Sequence, residues 1–115
     1  MTSKETEELV IRYLPELHKG IASPVSLSVE LLSCGVIPRK VYDDAISHDG
    51  SVTTEQKIHA ICDALLRSVA IKPTLLVEFV EVAGDNSPAM TDVCARIKRE
   101  PLYGEFITVR SYILF

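Results

Sequence analysis

Apolar residues recur along this chain at the three- and four-residue spacing of a helix, and proline or glycine cuts the pattern at short intervals. A stripe of that period cannot alternate sides as a half-buried strand must, so the chain is committed to short helices joined by tight links. The stretch LLSCGVIPRKVYDDAI, residues 31–46, shows the device at its tightest. Leu31 and Leu32 end one apolar stripe, Gly35 is placed to stop that helix in the left-handed conformation, and Pro38 opens the next.

The same punctuation divides the rest. Leu9, Val10, Tyr13, Leu14, Leu17 and Ile21 fall on one face of a first helix. Pro15 lies within it and predicts a kink, with one half running to about Leu14 and the other from Pro15 to Gly20. Ser23–Pro24 supplies an N-cap and a first-turn proline for a second helix carrying Leu27, Leu31 and Leu32 inward. The short third helix shows Val41, Tyr42, Ala45 and Ile46 on its apolar face and closes at SHDGS. Thr53 and Gln56 have capping-box spacing ahead of the stripe Ile58, Ile61, Cys62, Leu65, Leu66, Val69. Pro73 opens a fifth helix with Leu75, Leu76, Phe79, Val80 and Ala83 inward and Gly84 at its end. Ser87–Pro88 starts a sixth, cored by Val93, Cys94 and Ile97 and stopped by Pro101. Six short helices over residues 1–100 predict a compact all-α bundle. Residues 101–115 break the pattern: in LYGEFITVRSYILF, Phe106, Ile107, Val109, Tyr112, Ile113 and Leu114 look like a strand, which has nothing to pair with in such a bundle. Three expectations stay open for it: docking as an extended or short helical segment, pairing with a second copy, or leading into further sequence.

Size and charge narrow the function. A chain of 115 residues buries one core without disulfides or metal. Glu30, Glu78 and Glu81 interrupt every apolar run before it reaches the ~20 residues of a membrane span. The opening MTSKETEELV lacks the build of a secretory signal, so a cytoplasmic location is expected. The 3 cysteines, Cys34, Cys62 and Cys94, are widely spaced, which suits a reducing compartment. A net charge of −4 argues against nucleic-acid binding, and Arg96, Lys98 and Arg99 read as a helix C-terminus complementing its dipole.

Chemistry finds little purchase. Cys62 and Cys94 fall on apolar faces, where a thiol is inert. His59 and Cys62 stand one turn apart, a spacing that lets two side chains meet one ion, but no further ligand pattern accompanies them. Asp43 and Asp44 are neighbours on a helix, so their side chains diverge by about 100° and cannot share a proton. No glycine-rich phosphate loop is present. No catalytic residue, cofactor or metal site is therefore expected. A small metal- or thiol-redox-sensing regulator built on His59, Cys62 and Cys34 is the alternative function. What remains is surface charge, either ordinary solvated residues or a pair of unlike faces able to stack head to tail.

The ordered segments ELVIRYLPELHKGI, SVELLSCGVIPRKVYDDAI, TTEQKIHAICDALL and LLVEFVEVAGDNSPAMTDVCARI resemble a caspase recruitment domain, a branch of the death fold, over roughly Thr6 to Arg99. The resemblance implies an antiparallel six-helix Greek-key bundle without catalytic activity. It implies a partner carrying a like domain (a receptor, adaptor, caspase or kinase) in apoptotic or innate-immune signalling, with self-association as a further outcome. It also implies an acidic contact side at Glu30, Asp43 and Asp44 and a basic side at Arg12, Lys19, Lys57 and Arg67. Glu5, Glu8, Glu16 and Lys40 dilute both sides. A death effector domain, the neighbouring branch, fits less well because TDVCARIKRE lacks that branch's R-x-D-L-L motif.

Overall fold

The computed structural model describes residues 3–47 and 50–105. Six helices follow in order: α1 Ser3–Gly20, α2 Pro24–Cys34, α3 Arg39–Ile46, α4 Thr54–Ile71, α5 Leu75–Ala83 and α6 Pro88–Lys98. Residues 101–105 form a further helical turn, and no strand occurs among the described residues. The all-α bundle expected from periodicity is therefore present.

Local chemistry explains most boundaries. Ser23 and Ser87 each accept a hydrogen bond from the backbone N–H three residues on, and each is followed by proline in the first turn. At α4 the capping box is complete: the Gln56 N–H donates to Thr53 Oγ1 at 3.1 Å and the Thr53 N–H to Gln56 Oε1 at 2.8 Å. Gly35 takes φ +80° after α2, which lets Val36 N–H reach Leu31 O at 3.0 Å and Gly35 N–H reach Leu32 O at 3.2 Å. This is a Schellman ending, and Val36 and Leu31, the two positions whose side chains usually close it, are both fully buried. Ser68 Oγ then donates to Val36 O at 2.5 Å, tying α4 to the same turn.

Several expectations shift. Pro15 lies within α1, which runs from Ser3 to Gly20, so its missing N–H costs one helical bond without ending the element. Pro73 does not open α5: it sits in the turn before Thr74, and α5 begins at Leu75. Pro101 follows the end of α6 as expected but itself begins the turn at 101–105. Leu102 and Tyr103, ahead of the residues read as a strand, are helical, and Tyr103 is buried in the core. The rest of that tail, 106–115, lies outside the described residues, as do His48 and Asp49 of the SHDGS segment.

The core is one cluster drawn chiefly from α4 and α5, with residues of α1, α2 and α6, and α3 packs Val41 and Tyr42 against it. Most predicted inward residues are buried, while Tyr13, Leu14, Leu32, Val41, Tyr42, Ile46, Leu66 and Leu75 are only partly so. Val36, Ile37, Val77 and Met90 join the core without having been read as inward. α1 makes its broadest contact with α4 and also packs on α6, α2 packs on α3 and α5, and α3 lies against α4. These contacts decide which charges meet.

Candidate functional site

Each predicted interface residue can be placed from its helix outward. Glu30 is exposed on α2 and makes no ion pair among the described residues. One turn along, Cys34 shares its side of the helix. Burial raises the Cys34 thiol pKa, and Glu78, Glu30 and Glu81 raise it further. Glu30, Glu78 and Glu81 thus all lie within electrostatic reach of Cys34.

On α3, Asp43 is held by Arg39, whose Nε donates to its Oδ1 at 3.1 Å, and the guanidinium also lies 5.6 Å from the Tyr42 ring centre. Both partners remain mostly solvated, so the pair is worth about 0.2–1 kcal/mol and partly cancels the expected acidity. Asp44 is half-buried and lines an open groove of about 480 Å³ between α3 and α4 with Lys40, Asp63, Arg67, Ser68 and Ile71.

That groove also corrects the basic side. Arg67, assigned by resemblance to the face opposite Asp44, shares the groove with it and bridges to Asp63 at 2.8 Å. Two facing helices bring acid and base together because α4 packs directly against α3. Arg12 reaches Glu100 Oε2 at 3.5 Å. Lys57 donates from Nζ to Ser47 O at 3.0 Å, where it satisfies a carbonyl beyond the end of α3. Lys19 is exposed and makes no ion pair among the described residues. Of the seven predicted charges, Glu30, Asp44 and Lys19 alone are without an ion pair or a side-chain hydrogen bond among the described residues.

Arg96 does more than complement a dipole. It donates from Nη1 to Glu16 Oε1 at 2.7 Å and lies 6.0 Å from the Tyr13 ring centre, joining α6 to α1. Its Nε sits 3.3 Å from Asp92 Oδ2, an ionic contact whose angle is not that of a hydrogen bond. Tyr13 Oη donates to Glu100 Oε1 at 2.8 Å, and burial together with that bond raises the phenol's pKa. This seam is structural: every member is occupied by another.

The thiols are placed where a nucleophile would not be. Cys62 is buried on α4 and pushed up to about 12, and Cys94 on α6 to about 11, in both cases chiefly by desolvation of the thiolate. The unfolded thiols ionise near about 8.5, so the fold favours the protonated forms. Their contribution is complete below that value and is lost as pH rises toward about 11 and about 12. The urea midpoint is expected to fall between pH 8 and 10, and to fall less in Cys62→Ala measured against its own neutral value. An equal pH response in both proteins would contradict this.

His59 is exposed, and its neighbour is His18 of α1, not Cys62: the two rings stand 5.4 Å apart, centre to centre, at 80°. Sequence spacing within α4 could not reveal a partner on another helix. Among the described residues no three histidine, cysteine or acidic groups converge as a ready metal cluster, and no helix is long and apolar enough to cross a membrane. No family model, curated protein or solved structure matches the chain.

Proposed function

We propose that the chain is a non-enzymatic recruitment module of the caspase-recruitment type, acting in the cytoplasm by docking on a like domain. The observation that supports this most directly is the agreement of element order and length with the resemblance. The short α3, which follows α2 after Gly35 and Pro38, agrees in chain order with the acidic contact helix that the resemblance implies. An antiparallel Greek-key arrangement and a role joining receptors, adaptors, caspases or kinases belong to the same proposal.

The contact is narrower than resemblance alone implies. Its acidic side is Asp44 in the α3–α4 groove, with Glu30 exposed on α2, and its basic side is Lys19. Asp43, Arg12, Lys57 and Arg67 would have to exchange an internal partner for an external one. Opposite-charge contacts of this kind set partner choice and association rate more than affinity. They are screened beyond about 8–10 Å at ordinary ionic strength.

Light scattering against concentration and salt tests the proposal. Association of the purified chain, or of the chain with a like domain, is expected to weaken as salt rises. Asp44→Lys is expected to weaken it about tenfold or more while the helical spectrum and melting curve stay as they were. Association that survives Asp44→Lys and Glu30→Lys undiminished would remove the acidic side, and with it this reading of the surface.

A further inference from the structure

We propose that His18 and His59 form a transition-metal site, of the class that takes Zn²⁺, Cu²⁺ or Ni²⁺, bridging α1 to α4. The inference is independent of the recruitment reading. It starts from a contact between rings on two different helices, at the pair of elements with the broadest packing in the bundle. Imidazole nitrogens bind Zn²⁺ at about 2.0–2.1 Å in tetrahedral geometry, which sets two ring centres roughly 5 Å apart. The observed separation is 5.4 Å. Rotation about the metal–nitrogen bond leaves the angle between ring planes unrestricted, so the 80° found here is compatible with shared ligation.

The surroundings suit an ion that keeps some water. The two histidines line an open groove of about 790 Å³ between α1 and α4, and Glu55 and Asp63 stand one turn either side of His59 in the same groove. Asp63 is engaged by Arg67 at 2.8 Å, which leaves Glu55 as the carboxylate able to turn toward the ion. Lys19 lies in this groove too, and its positive charge opposes a cation. No third ligand already converges among the described residues, so the site is bidentate, completed by water or Glu55. Two imidazoles select the borderline ions over Mg²⁺ and Ca²⁺, which prefer all-oxygen ligands. Cys62, the partner that spacing suggested, is buried and points to the core. Because one ligand comes from each helix, the ion binds the folded state and stabilises it.

The test uses the full untagged chain with ZnCl₂, and MgCl₂ as the control. One Zn²⁺ per chain is expected by calorimetry. Tm is expected to rise by about 10 °C at a free-ion level roughly a hundredfold above Kd, and EDTA should reverse the rise. His18→Ala and His59→Ala, each compared with its own melt in EDTA, are expected to lose the rise, and His48→Ala to retain it. Co²⁺ substitution should give ligand-field bands without the intense near-ultraviolet thiolate band. Absence of uptake, uptake that survives His18→Ala, or a thiolate band would each overturn the proposal. A purely aromatic contact between the rings predicts the first of these.

Discussion

Phe79→Ala is expected to lower the unfolding free energy by about 3–5 kcal/mol, a large share of the 5–15 kcal/mol that holds a domain of this size. Phe79 is 1% exposed and is among the largest fully buried side chains. It sits on α5, a nine-residue helix that touches α2, α4 and α6, so the cavity left by truncation borders several elements at once. Collapse around it would require those helices to move together, which is why the cost belongs at the high end for a core deletion. Urea denaturation checks this: the midpoint should drop with the slope unchanged. Ile71→Ala is the internal comparison. Ile71 is 87% exposed, and its loss is expected to stay within about 0.5 kcal/mol. Similar losses for both residues would mean the core is misplaced.

The second large effect falls on a polar residue. Asn86, in the link between α5 and α6, accepts from Ala22 N–H at 2.8 Å and Ser23 N–H at 3.2 Å, and donates from Nδ2 to Ser23 O at 3.0 Å. One side chain thus closes the link between α1 and α2 on the far side of the sequence. Ser87 Oγ reinforces the junction by donating to Gly20 O at 2.6 Å. Asn86→Ala leaves two N–H groups and a carbonyl without these partners and is expected to cost about 1–3 kcal/mol. Asn86→Asp keeps both acceptor bonds and loses only the donor, so its midpoint should fall between alanine and wild type. If alanine and wild type melt together, water serves the junction as well as the amide does, and the clamp is not one.

Both residues show where sequence reading succeeds and where it stops. Phe79 was legible, because its place in the stripe Leu75, Leu76, Phe79, Val80, Ala83 already turns it inward. Ile71 carries the same chemistry as Ile61 three turns earlier on α4, yet one is at the surface and the other fully buried. The difference is that, among the described residues, no element covers Ile71, although Val69 in the same turn is buried. Asn86 read only as a loop residue beside a cap, since its partners are 63 and 64 positions away.

The candidate surface divides in the same way. The pairing of Arg39 with Asp43 sits at the four-residue spacing of helix neighbours and was available to inspection. That of Arg96 with Glu16 spans 80 positions and was not. Arg67 was assigned a face by its helix number, and only the packing of α3 on α4 put it beside Asp44. Spacing along α4 pairs His59 with Cys62, whereas its ring meets that of His18.

What the residues determined unaided was the set of helices, their caps, the left-handed stop at Gly35 and most inward faces. Those features arise from contacts within about one turn, where backbone geometry fixes which atoms meet. What the tertiary structure alone decided was which charged and polar groups face each other across helices. That depends on the rotation and crossing of each helix against its neighbours, set by the packing of the whole core and written in no single segment.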